Sequence, residues 1–268
     1  MEIPRRARIG LAVATVVTLA FIYVPIGIIV LYSFNAGTVA TWPIAGVTLD
    51  WYARALQDDG IRSALLHSVE AAIGATVLAL LLGSLIALAV HRYRFFGRES
   101  LSFVVILPLA LPGIVTGLAL NAAFRTLNLE FGLLTIVVGH TTFCIVVIYN
   151  NVIARLRRLS RTAEEASMDL GADTWMTFRR VTFPAVRTAL VAGALLAFAL
   201  SFDEIIVTNF TAGPGVQTLP LWIFANYQRP NQLPLVNVAA VFVLILSIVP
   251  VYLASRLTAD TSGISARG

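Results

Sequence analysis

Residues 154–184 read ARLRRLSRTAEEASMDLGADTWMTFRRVTFP and separate two stretches of different character, Leu133–Ile153 and Ala185–Phe210. Each flanking stretch is apolar and long enough to cross a bilayer, which takes about 20 residues. Six arginines and four acids fill the segment between them. Charge at that density is too costly for lipid, so the segment lies in water between two spans. Its own pattern is local. Thr162 with Glu165 three residues on is a capping box, which predicts a helix over Ala163–Leu170 with Glu164, Glu165 and Asp169 near its surface. Gly171 can take the left-handed conformation that ends such a helix. Asp173 caps a second helix, Thr174–Thr182, with Trp175, Phe178 and Val181 on one face, and Pro184 restarts the chain into the next span. A helix–glycine–helix unit at a membrane surface is either an interfacial filler or a docking knob for a cytosolic partner.

Working outward, six runs qualify as spans: Ile9–Tyr32, Leu66–Val90, Leu101–Phe124, Leu133–Ile153, Ala185–Phe210 and Leu235–Ser255. The expected fold class is therefore an all-α membrane protein of six transmembrane helices, a single domain over 1–268. Composition agrees. Of the 268 residues 58% are hydrophobic and 12% charged, against about 25% charged in soluble domains. A soluble enzyme, a disordered tail and a disulfide-built module are all excluded. The first run follows Arg5, Arg6 and Arg8 but exceeds the ~7–15 apolar residues of a signal peptide, so it reads as an uncleaved span.

The arginines set the orientation. Fifteen fall at the N-terminus (Arg5, Arg6, Arg8), at Arg92, Arg94 and Arg98, in the 154–187 region, and at Arg256 and Arg267. Four fall in the alternate loops: Arg54, Arg62, Arg125 and Arg229. By the positive-inside rule both termini are cytoplasmic, and the net charge of +5 serves orientation and anionic lipid rather than nucleic acid. All 19 basic residues are arginine. Without lysine there is no P-loop for ATP and no Schiff-base catalyst. The lone cysteine, Cys144, excludes a disulfide or a cysteine-built metal site within one chain. No catalytic, cofactor or metal constellation is expected.

Inside the spans, Ala71, Ala75, Ala79, Gly83 and Ala87 recur every fourth residue, as do Ala185, Ala189, Gly193, Ala197 and Ser201, and Gly113 with Gly117 forms a GxxxG step. Such stripes let backbones approach closely, within one bundle or against a second membrane subunit. Pro108 and Pro112 predict a kink in the third span. Trp42, Trp51 and Tyr52 suit an interfacial segment in the first outer loop, and the last outer loop is rich in turns, with Gly213, Pro214, Gly215, Pro220, Pro230 and Pro234. Asp203 and Glu204 stand adjacent in the outer half of the fifth run. They either line a solute path or form a structural pair. His140, Asn121, Tyr149, Asn150 and Asn151 read chiefly as packing contacts.

The loop's spacing then becomes specific. Glu165-Ala166-Ser167, three residues, Gly171, nine residues, and Val181-x-Phe183-Pro184 resembles the EAA motif of binding-protein-dependent ABC importer permeases. Ser167, Val181 and Phe183 depart from it conservatively. Tyr23-Val-Pro-Ile26, Ser33-Phe-Asn35, Trp51-Tyr52, Tyr93-Arg-Phe95 with Gly97, His140–Cys144, Ser201–Glu204, Ala212-Gly-Pro214 and Leu219-Pro-Leu221 are similar to the second permease of spermidine/putrescine importers. The resemblance covers nearly the whole chain. It implies a type I ABC importer permease in a bacterial cytoplasmic (inner) membrane. A second homologous permease, a cytosolic ATPase dimer carrying ATP and Mg, and an extracytoplasmic binding protein would be its partners. The segment 160–184 would couple to the ATPase through Glu165, Ala166, Gly171, Arg179 and Pro184. Glu165 would cap its own helix or touch the partner, and Arg179 and Arg180 would meet ATPase acids or lipid. Asp203 and Glu204 would attract a polycation. An importer of another small solute, such as an opine or an aminophosphonate, would share this architecture, whereas a secondary transporter would need no docking loop.

Overall fold

Each apolar run folds as helix, because a chain in lipid must pair its own backbone groups. Two of the six runs are nevertheless interrupted. The computed structural model describes residues 4–229 and 231–264; Pro230 of the last outer loop and Arg267 of the arginine set lie outside the described residues. The α-helices in order are α1 (Arg5–Ser33), α2 (Asp50–Gln57), α3 (Asp59–Arg92), α4 (Arg98–Ala110), α5 (Gly113–Thr126), α6 (Leu133–Arg158), α7 (Arg161–Asp169), α8 (Thr174–Thr177), α9 (Phe183–Phe202), α10 (Ile206–Thr211), α11 (Leu219–Asn226) and α12 (Leu233–Ile264). No strand occurs among the described residues; an isolated bridge joins Asn35 to Val47. A wide π turn, Phe178–Thr182, joins α8 to α9 without a break, so Thr174–Phe202 is one helix.

Five helices among the described residues are each long and apolar enough to cross a membrane, or six if the bent pair α4–α5 is counted as one span. That pair corrects the third expected span. In place of a kink there is a 108° turn at Leu111–Pro112. The cause is local. Leu111 precedes a proline and is pushed into extended backbone, φ −83° and ψ 144°, which ends α4. The fifth expected span is also shorter than Ala185–Phe210. Its helix stops at Phe202, and α10 begins anew after Asp203–Ile205.

The chain divides into two compact units. The first comprises residues up to Arg62 together with Ile223–Phe242. Its loop between α1 and α2 is folded around Asn35. The Asn35 side-chain carbonyl accepts from the backbone N–H groups of Gly37 (3.2 Å) and Ala45 (3.1 Å), and its backbone carbonyl accepts from Trp51 Nε1 (2.9 Å). Trp51 is thus a buried loop anchor, while Trp42 is 78% exposed.

The second unit comprises Ser63–Trp222 and Val243–Gly268. Helix α6 is its spine, with His140, Cys144, Ile148, Val152 and Leu156 all buried. The stripe on α3 is buried, while Ala185 and Ala189 of the stripe on α9 stay half-buried. Ala71, Ala75, Ala79 and Ala87 are at most 1% exposed. A Cβ on Gly83 would lie 3.0 Å from the Ile145 carbonyl, and one on Gly117 would lie 2.5 Å from the Phe210 ring. Backbone contact this close is what the missing side chains permit. Two of the polar groups are packing contacts: Tyr149 OH donates to Ser102 Oγ (3.0 Å) and Asn121 Nδ2 to the Phe210 carbonyl (2.6 Å), whereas Asn151 Nδ2 bonds within its own helix, to the Val147 carbonyl (2.9 Å), and Asn150 is exposed.

Candidate coupling hairpin and acidic break

The loop after α6 folds as a tight helical hairpin. Its start corrects the sequence expectation. Ser160, not Thr162, is the N-cap: its Oγ accepts from the Thr162 N–H at 3.2 Å, and α7 begins at Arg161. The end of α7 is as expected. Gly171 has φ +85°, its N–H donates to the Met168 carbonyl (2.9 Å), and the Ala172 N–H donates to the Ser167 carbonyl (3.1 Å). This is the Schellman closure, which satisfies the last carbonyls of α7. Asp173 caps the next helix, its Oδ1 accepting from the Met176 N–H at 2.7 Å. Ser167 Oγ and the buried Thr177 Oγ1, 3.2 Å apart, close the two arms. Pro184 does not restart the chain. The helix runs through it, and the π turn just before it suits a residue whose missing N–H cannot bond the carbonyl of Arg180.

The hairpin turns an apolar tip outward. Leu170 is 90% exposed and Trp175 67%, with Met168 and Met176 also exposed. Trp175 is held by stacking on Phe178, ring centroids 5.7 Å apart. Glu165, Ala166, Gly171, Arg179 and Pro184 all lie on this hairpin and all are exposed. Its inner side carries residues to which the sequence reading assigned no coupling role, and Glu164, expected near the surface, is only 17% exposed. Glu164, in the first turn of α7, lies 3.6 Å from Arg92 Nη2, at the end of α3, through one carboxylate oxygen. The other oxygen accepts from the buried Thr182 hydroxyl on the π turn. An acid in a first turn and a base in a last turn are each favoured by the helix dipole, the one signal that could have drawn notice to Glu164 and Arg92.

Asp203 and Glu204 sit at the other end of the helix that starts in this hairpin, about 28 Å from Pro184 by helix rise. The break divides their roles. Glu204 Oε1 accepts from the Val207 N–H (2.9 Å) and its backbone carbonyl from Thr208 Oγ1 (2.8 Å), so Glu204 caps α10. Asp203 is exposed. Buried His140 bridges the break, with Nδ1 2.8 Å from Ser201 Oγ on α9 and Nε2 2.8 Å from Thr208 Oγ1 on α10. Glu204 is thus engaged by the first turn of α10, and Asp203 has an exposed carboxylate.

Comparison with known proteins accords with this geometry. Residues 79–262 match the family described as "Binding-protein-dependent transport system inner membrane component". The chain is 37% identical over 232 residues to the putrescine transport system permease protein PotI of Escherichia coli (strain K12), covering 84% of this chain and 82% of that one. It is 34% identical over 241 residues to the spermidine/putrescine transport system permease protein PotC of the same strain, covering 90% of each. A crystal structure of a bacterial ABC transporter that imports the acidic polysaccharide alginate shares the fold, with TM-score 0.68 at 18% identity over 97% of this chain and 99% of that one. Helical spans and similarity over most of the chain agree: this multi-pass chain belongs to the binding-protein-dependent transport system inner membrane component family, as a non-catalytic permease of an ABC importer.

Proposed function

We propose that this chain forms half of the translocation pathway for a small polycation, a polyamine such as putrescine or spermidine, in a bacterial inner membrane. A second permease would form the other half. Hairpin 160–184 would seat in a cytosolic ATPase that holds the ATP and Mg, and an extracytoplasmic binding protein would deliver the solute. Both termini would face the cytoplasm. The observation that carries the reading is the rigid hairpin's apolar tip: Met168, Leu170, Trp175 and Met176 all stand exposed on an otherwise charged loop. Exposed apolar surface of this kind, rimmed by polar residues, marks a protein interface. The polyamine relatives support the solute, and exposed Asp203 gives it a carboxylate near the outer end of the fifth span.

The test uses the complete transporter in membrane vesicles. Gly171→Asp should leave the chain inserted and abolish ATP-driven uptake of radiolabelled putrescine. Normal uptake with the ATPase bound would remove the docking assignment. Asp203→Asn, at an exposed position, should lower uptake several-fold with the complex intact; unchanged uptake would remove the pathway role. Competition by spermidine but not by 2-aminoethylphosphonate is expected. The reverse would replace the polyamine by an aminophosphonate within the same architecture.

A further inference from the structure

The apolar tip explains how the hairpin could meet a partner, but not how its movement reaches the membrane helices. Glu164 is placed for that. It lies on the inner side of the hairpin, 17% exposed, opposite an Arg92 side chain that is 27% exposed. Its two carboxylate oxygens are engaged by two different elements: Arg92 Nη2 at the end of α3 at 3.6 Å, and the Thr182 hydroxyl on the π turn that leads into α9. Thr182 is itself 2% exposed. One side chain on α7 is therefore fastened to the inner ends of both the second and the fifth spans. A pair this withdrawn from solvent is screened less by salt than a surface pair. A guanidinium, planar and charged at every working pH, keeps its geometry as the helices move.

We propose that Glu164 is a positioning residue of the transport cycle: through Arg92 and Thr182 it passes displacement of the docked hairpin to α3 and α9 together. The proposal rests on the coupling function assigned to hairpin 160–184. Glu165, its neighbour, is exposed and belongs to the outer face. The two adjacent glutamates thus divide the work, one facing the partner and one facing the bundle.

The test is the number of solute molecules moved per ATP hydrolysed by the complete transporter in proteoliposomes. That ratio is insensitive to a loss of folded complex, because uptake and hydrolysis fall together. Glu164→Gln and Arg92→Gln should each lower it about fivefold, a typical effect of breaking one coupled pair. The ATPase should remain bound. The exchanged pair, Arg92→Glu with Glu164→Arg, should restore it to within about twofold by the same coupling. A wild-type ratio in both single variants would overturn the proposal. So would failure of the exchanged pair to recover, or loss of the ATPase from Glu164→Gln, which would put Glu164 in the docking face instead. Where Glu164→Gln does not assemble, Arg92→Gln and Thr182→Val decide between the same outcomes. Gly171→Asp, measured in parallel, separates the two readings. If it keeps wild-type uptake with the ATPase bound, the coupling function itself fails; if it loses uptake while Glu164→Gln keeps the wild-type ratio, only the role of Glu164 fails.

Discussion

His140 is fully buried, and both of its ring nitrogens are engaged. Thr208 has a single hydroxyl proton, which goes to the Glu204 carbonyl. Thr208 Oγ1 must therefore accept from His140, which puts a ring proton on Nε2. An imidazole held at both ring nitrogens bridges the break after α9. His140→Phe should leave Ser201 and Thr208 short of a partner and destabilise the protein by about 1–3 kcal/mol, read as a lowered Tm of the purified complex. At Gly171 the demand is conformational alone. A Cβ there meets nothing within 4 Å, yet φ is +85°. The left-handed region costs most side chains about 1–2 kcal/mol but asparagine less. Gly171→Asn should thus keep more uptake than Gly171→Val, and equal losses would mean that the partner's groove, not φ, enforces glycine. The need for glycine at 171 was legible from spacing and local chemistry. The role of His140 was legible only as a packing contact, because its partners lie 61 and 68 residues away.

At the scale of elements, what the sequence disclosed depended on how local the cause was. Asp173 as a cap and Gly171 as a stop were readable because their partners lie within a few residues. The start of α7 was misplaced by two residues, because Ser160 and Thr162 are both competent caps and choosing between them depends on how α6 ends. Ser160→Ala should cost about 1 kcal/mol, seen as faster amide hydrogen exchange at Thr162 with the rest of α7 little changed. The two broken spans carried visible signs, Leu111-Pro112 and Asp203-Glu204, inside runs whose hydropathy alone suggested continuity. Hydropathy sums over a window and cannot see a single residue leave the helix. The breaks pack together, since α5 lies against α10 with Gly113 beside Ile206 and Gly117 beside Phe210. Enlarging Gly117 to valine should therefore disturb α10 and the Glu204 cap, lowering both Tm and uptake.

For the whole molecule, six spans and their arginine bias emerge from composition and spacing, since lipid leaves few alternatives. The fastening of hairpin to bundle does not, because Arg92 and Glu164 are separated by 72 residues and only the folded chain brings them together. One continuous helix, Thr174–Phe202, carries the hairpin's second arm at one end and meets Asp203 at the other. The chain's one sulfhydryl has a practical bearing on testing this. Cys144 is fully buried, and its Sγ lies 3.4 Å from the Ala197 carbonyl. Intact protein should therefore be silent to membrane-impermeant maleimides, so any thiol placed at the surface reports on its own. Phe96→Cys and Leu127→Cys replace exposed residues in loops expected on opposite faces. In whole cells only Leu127→Cys should label, and labelling of Phe96→Cys instead would invert the orientation. The natural chain is thus already the blank against which its own topology and movements can be mapped.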